Sequence, residues 1–385
     1  MSDFLSVIEE SVLNNAISLS VFQEMLIDIT DDTLKDIQET IESHFFISKK
    51  SSLSTLIHFI FISAEYRVLK VPLYCTLIKN VIIAHKDSED EIKKKLLNSF
   101  IQPAAIHGSR CFFLRSCMNN GIISQQDVVD SCRRLYLMRP SNPERLMTSF
   151  CWFCPELEKL DKSLFDIVLS AILKNREMGM IHPTINNFLN IYTPLSQNDW
   201  QVYRACLQYG FNPDRLVIMI SNDAVEHLEA FSKSENFDPN YVVPNCIFDC
   251  SQILDSKQTL LQTAAFFGAK KCFSFLLKVG ANPELCSDKS KTLLSFAVAG
   301  GHHDMIENVL SLDSDLTGAL ETAVKFHQNE IFDYLLENKV KKTENLIEIY
   351  RSIINECAAS NNLYLLLKCI ENGVDVNYTD CIDVF

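Results

Sequence analysis

The sequence predicts an all-α fold, an elongated helical solenoid whose repeats lie toward the C-terminus and follow an irregular helical array. Three observations predict it. A segment in the C-terminal third recurs after 33 residues, a period that belongs to stacked supersecondary units. Only 10 of the 385 residues are glycine, although 47% are hydrophobic; that is under half the usual glycine share of about 7%, too little for many short strands or for phosphate-cradling loops. Apolar residues recur at helical spacing, and no alternating strand pattern persists. At this length a single core has stopped growing, so either two domains or a solenoid is expected.

Residues 1–194 read as successive amphipathic helices. Leu34, Ile37, Ile41 and Phe45 are spaced for one helix face behind a start signal at Thr30-Asp31-Asp32-Thr33. Breaks are expected at 49–52, at Val71-Pro72, Gln102-Pro103, Arg139 to Pro143 and His182-Pro183. The spacing between these helices shows no fixed period. The region is expected to form an irregular array capping the repeats, with a separate helical domain as the alternative. The run Lys93-Lys94-Lys95 follows Glu89, Asp90 and Glu91 and reads as a solvated face.

Degenerate helical pairs are expected over 195–254. Phe211-Asn212-Pro213 and Phe237-Asp238-Pro239 each follow an apolar helical segment, and Ala281-Asn282-Pro283 continues the series after a longer loop around Pro244 to Asp255.

Residues 255–385 carry the clear repeats. Asp255 and Asp288, Thr259 and Thr292, Gly268 and Gly301, and Leu277 and Leu310 all lie 33 apart. Thr259 and Thr292 can cap a first helix through their hydroxyls, and Gly268 and Gly301 can end it in the left-handed conformation. Ala264, Ala265 and Ala297 are small where neighbouring helices must approach. Phe273, Leu276 and Leu277 make one stripe on a second helix, which Gly280 stops. Leu320, Ala323, Val324, Ile331, Leu335 and Leu336 repeat the pattern after 26 residues, the seven missing ones falling where a hairpin would stand. Cys357, Ala358, Leu366, Ile370, Gly373, Asp375 and Asn377 give a fourth unit after 34. The units are placed at about 255–287, 288–315, 316–345 and 349–380.

These residues resemble ankyrin repeats. The phrase Ala264 to Leu277, AAFFGAKKCFSFLL, is similar to one recurring in a large trichomonad-like family of parasitic-protist ankyrin proteins, in which a helical N-terminal region of unknown function precedes the repeats. Leu260 and Leu293 stand where the ankyrin pattern has Pro, and Gln262 and Ser295 where it has His. The resemblance implies a non-catalytic protein-binding module, an adaptor or scaffold that uses hairpin tips and the concave face of its inner helices. It places the tips at Ser256, Lys257, Gln258, Lys289, Ser290 and Lys291, and the groove at Phe266, Phe267, Ala299, Gly300, Lys325 and Phe326. Aromatic side chains on a rigid surface make good anchors, although Phe266 and Phe267 could equally pack on the preceding loop. The alternative reading is an enzyme or enzyme regulator with its active site in 1–194.

Candidate chemistry elsewhere is thin. Cys151-Trp152-Phe153-Cys154 has zinc or redox spacing without a second pair nearby, and Trp152, Phe153 and Pro155 read as core and helix end. His302 occupies a position where ankyrins carry a structural histidine. No HExxH, GxSxG or GxGxxG motif occurs. No catalytic residue, cofactor or metal is therefore expected.

The net charge of −14 argues against nucleic acid as a partner, since phosphate contacts need a basic face. Met1 to Glu10 is not a signal peptide, and the apolar run Leu53 to Ile62 is half a bilayer span. Cys381 sits one position too early for a prenylation box. A monomeric, intracellular protein without membrane insertion is expected, cytoplasmic with the nucleus left open, its 14 cysteines reduced. Phe385 ends the sequence just after Asn377 to Asp380 begin another connecting hairpin. A solenoid needs a polar terminal cap, so truncation is an open expectation.

Overall fold

The computed structural model describes residues 10–43, 50–101, 108–140, 146–234, 236–254, 257–285, 291–312, 315–340 and 345–375. The chain divides into two compact units. One is formed by Met1–Ile27, Arg215–Val243 and Gln258–Phe385, the other by Asp28–Asp214 and Pro244–Lys257. Among the described residues every regular element is helical, and the only β-feature is an isolated antiparallel bridge between Val242 and Thr259. The fold is all-α, as the sequence predicts. No single helix there is long and apolar enough to cross a membrane.

Helix α1 (Glu10–Ile27) belongs to the first unit. The second unit begins with α2 (Leu34–Ser43), entered through mutual hydrogen bonds of Thr30 and Thr33 and buried through Ile37 and Ile41. It continues through α3 (Lys50–Tyr66), α4 (Val71–Ala84), α5 (Glu89–Ile101), α6 (Gly108–Asn119), α7 (Gln125–Met138), α8 (Met147–Leu160), α9 (Lys162–Glu177) and α10 (Pro183–Cys206). Prolines open α4 and α10 in their first turns, where the missing N–H costs no bond. The expected breaks at Val71-Pro72 and His182-Pro183 are therefore helix starts. The boundary expected at 195 falls inside α10, which is interrupted two residues later at Gln197 to Trp200. Phe45 and the breaks near 102 and 143 lie largely outside the described residues.

Pro155 organises the core of this unit. It follows the kink at Phe153, where one helical segment of α8 ends and the next begins. Proline has no N–H to give the carbonyl four residues earlier, Cys151. The hydroxyl of Tyr203 on α10 donates to that oxygen at 2.8 Å instead. Arg115 of α6 donates to the next carbonyl, Trp152. The Arg115 guanidinium also makes a two-pronged ion pair with Glu156, at 2.6 and 2.8 Å, and lies 4.8 Å from the Phe153 ring centroid. Each carbonyl freed by the kink is thus satisfied, as burial demands. Trp152, Phe153 and Phe248 have 0% exposure, and Trp152 meets Phe248 edge-on at 5.6 Å. Cys151 and Cys154 are fully buried, and desolvation pushes both thiols well above the ordinary range. The CWFC segment is a kinked piece of core.

The first unit is a stack of helix pairs. These are α11 (Arg215–Ser221) with α12 (Val225–Ser232), α13 (Leu260–Phe267) with α14 (Lys270–Lys278), and α15 (Leu293–Gly300) with α16 (His303–Leu310). Then come α17 (Ala319–Lys325) with α18 (Asn329–Asn338) and α19 (Leu346–Ala359) with α20 (Leu363–Glu371). The first member of each pair packs on the first member of the next, from α11 through α13, α15 and α17 to α19, forming the inner row. The second members form the outer row. Helix α1 packs on α20.

Candidate functional site

The repeat surface is set by local rules. Thr259 accepts the Gln262 N–H while the Gln262 side chain accepts the Thr259 N–H, a capping box that starts α13. Thr292 accepts the Ser295 N–H at the start of α15. The residues standing where the ankyrin pattern has His thus complete or receive the cap. Gly268 and Gly301 end these helices at φ 66° and 79°, as their spacing predicts. Ala264, Ala265 and Ala297 are fully buried between inner helices.

The ends of consecutive inner helices stand next to one another. Phe266 and Phe267 close α13, Ala299 and Gly300 close α15, and Lys325 and Phe326 follow at the end of α17. A Cβ on Gly300 would fall on the carbonyl oxygen of Phe266, so only glycine lets the two ends approach this closely.

A second row of side chains ties the pairs together, and it was not foreseen beyond His302. The His302 ring lies over Gly268 and hydrogen-bonds the Phe266 carbonyl. Gln328 donates to the Ala299 carbonyl at 3.1 Å, and Asn362 to the Val324 carbonyl at 3.0 Å. Each polar group precedes an outer helix and reaches back to the inner helix of the preceding pair. The signal was present in the sequence: 302, 328 and 362 advance by the same 26 and 34 residues as Ala297, Ala323 and Cys357. Their different chemistry, His, Gln and Asn, hid the register.

The expected binding residues divide by burial. Phe266 and Phe267 are half-buried, at the rim of the row, and meet edge-to-face at 5.1 Å. Lys291 and Lys325 are also partly exposed. Gln258, Ala299 and Phe326 are exposed by only 1%, 4% and 4%, so their side chains are interior. Gln258 was expected at a hairpin tip; instead its backbone carbonyl accepts from Val243 N–H at 2.8 Å, at the paired base of that hairpin. Lys257 is exposed but belongs to the other compact unit. Ser256, Lys289 and Ser290 lie outside the described residues.

Two register details also differ. Leu277 is half-buried while Phe273 and Leu276 form the interior stripe of α14. On α20 the interior positions are Leu365 and Cys369, one residue before the expected Leu366 and Ile370. A pocket of about 420 Å³ opens beside the shortened connector, lined by Pro283, Leu293, Leu294, Val309 and Leu312 with Glu284 and Asp315 at its edge. It was not foreseen from the sequence.

Residues 260–346 match the family model described as ankyrin repeats (3 copies). The chain therefore carries ankyrin repeats in its C-terminal third. No curated protein is similar in sequence to the chain.

Proposed function

We propose that the protein is a non-catalytic adaptor or scaffold that holds a protein partner on the rim formed by the ends of its inner helices. Ankyrin repeats are protein-interaction modules and their all-helical fold is typically non-catalytic. The observation that carries the reading is the half-buried Phe266–Phe267 pair. It sits on a helix end fixed by a capping box on one side and by Gly268 and His302 on the other. Aromatic side chains held this way lose little entropy when a partner covers them. Lys325, at the end of α17 in the same row, and Lys291, just before the start of α15, favour a partner with acidic groups.

The buried, high-pKa thiols support a reducing, intracellular setting, cytoplasmic or nuclear. The reading has the chain acting as a monomer and places it beside the trichomonad-like ankyrin proteins that it resembles. Affinity capture from the source cell, read by mass spectrometry, tests the reading. The intact chain is compared with a Phe266→Ser, Lys291→Glu, Lys325→Glu variant whose helicity is first verified. A partner held by the intact chain and lost by the folded variant supports the repeat rim. Equal capture by both removes the rim as the site and directs attention to residues 28–214.

A further inference from the structure

We propose that the pocket where α3, α5 and α6 meet binds a small molecule bearing a phosphate monoester. This goes beyond the protein-binding reading and rests on residues of the other compact unit.

The pocket has a volume of about 290 Å³ and is lined by Ser54, Ile57, His58, Phe61, Lys95, Asn98 and Arg110. Ser54, Ile57, His58 and Phe61 are spaced 0, 3, 4 and 7, so one face of α3 supplies them all. Lys95 and Asn98 are three apart on α5. Arg110 stands in the first turn of α6, where the helix dipole adds positive potential. In a chain of net charge −14, none of the described lining residues is acidic. The run Lys93 to Lys95 was read from the sequence as a solvated face, yet the Lys95 side chain is only 18% exposed.

The two fixed cations have donors to spare. Lys95 Nζ donates to Ser54 Oγ at 2.6 Å, while the Glu91 carboxylate is 3.6 Å away. Arg110 Nε is 3.6 Å from Glu65 Oε2, beyond hydrogen-bond reach, and this buried nitrogen has no acceptor. Glu65 Oε1 is taken by the Gln252 amide at 2.9 Å. The carboxylates therefore hold the two positive groups in place without using up their N–H bonds. A buried charged donor left without an acceptor is costly, and an incoming oxyanion removes that cost.

Geometry selects the anion. The pocket lining brings donors from two helices, the Arg110 guanidinium on α6 and the Lys95 ammonium and Asn98 amide on α5, against the apolar face of α3. A carboxylate presents two oxygens in one plane, whereas a phosphate monoester presents three oxygens around a tetrahedral centre and can take donors from several sides. Ile57 and Phe61, 4% and 5% exposed, give an apolar floor for the ester group. The volume lies at the low end for ligand pockets, which suits a small phosphomonoester.

Calorimetric titration of the full-length protein with phenyl phosphate tests the assignment, with inorganic phosphate and phenylacetate as comparison ligands. Saturable binding of phenyl phosphate is expected, about tenfold tighter than inorganic phosphate because the ring covers apolar surface. Phenylacetate is expected to bind more weakly than phenyl phosphate. Arg110→Gln and Lys95→Gln should each weaken phenyl phosphate by about tenfold or more, while Lys35→Gln on α2 leaves it unchanged. If Arg110→Gln fails to fold, Lys95→Gln and the ligand series still decide. Absence of saturable binding up to about 10 mM, where even weak sites fill, overturns the proposal, as does equal affinity in Lys95→Gln. Phenylacetate binding as tightly as phenyl phosphate would remove the phosphate assignment, and inorganic phosphate binding as tightly would remove the ester.

Discussion

His302 and Gly300 show how single residues set the spacing of the repeats. The His302 ring occupies the space where a side chain at 268 would stand, and a side chain at 300 would strike the Phe266 carbonyl. Gly300→Ala should therefore destabilise the protein by about 1–3 kcal/mol through overpacking, read as a lowered chemical denaturation midpoint. His302 also predicts a pH effect. Desolvation lowers its pKa below the ordinary 6.5, only partly offset by its bond to the Phe266 carbonyl. The unfolded chain then binds the proton more readily than the folded one. Stability from this group is complete above the unfolded value and falls as the pH drops below about 6.5. His302→Gln should flatten the stability profile between about pH 5 and 7; a slope identical to the parent would show that the ring does not titrate against this packing.

Helices obey the same logic with larger stakes. In α8 the kink at Pro155 would strand the Cys151 carbonyl if Tyr203 did not donate to it. Tyr203→Phe removes that donor and little else, so it should cost about 1–3 kcal/mol, the penalty for an unsatisfied buried carbonyl. In α14, Leu276 is fully buried and Leu277 is not. Leu276→Ala should lower stability by about 2–5 kcal/mol, and Leu277→Ala by clearly less. A larger loss at 277 than at 276 would reverse the register. These elements also mark the limits of legibility. The Thr caps, the terminal glycines and the small residues between inner helices were readable because each is dictated by backbone geometry within its own repeat. How the break at Pro155 is satisfied was not legible, because Tyr203 and Arg115 are 48 and 40 residues distant. The burial of Gln258, Ala299 and Phe326 was not legible because the ankyrin register gives a position but not its neighbours. The pocket on α3, α5 and α6 was invisible for the same reason: its cations come from separate helices, and the sequence shows only a charged run.

Across the molecule, the chain's order in sequence is not its order in space. Helix α1 ends at Ile27, 336 residues before α20 begins at Leu363. Gln23 is 2% exposed; its amide donates to the Asn361 carbonyl at 2.8 Å and its oxygen accepts the Leu363 N–H at 3.1 Å. It thus caps the first turn of α20, a task that Asp223 performs for α14 by accepting the Cys272 N–H at 2.9 Å. Glu24 accepts a hydrogen bond from the Asn329 side-chain amide at 3.1 Å, and Phe22, Leu26 and Ile27 are buried. Helix α1 thus covers α20 from the other end of the sequence. In a stack stabilised by neighbours, loss of a terminal partner weakens the adjacent pair most. Phe22→Ala with Leu26→Ala, made in the full chain, should therefore speed hydrogen exchange in 346–371 far more than in 260–278. Uniform acceleration across all the repeats would mean that the stack opens as one cooperative body, and unchanged exchange in 346–371 would mean that α1 contributes nothing to its stability.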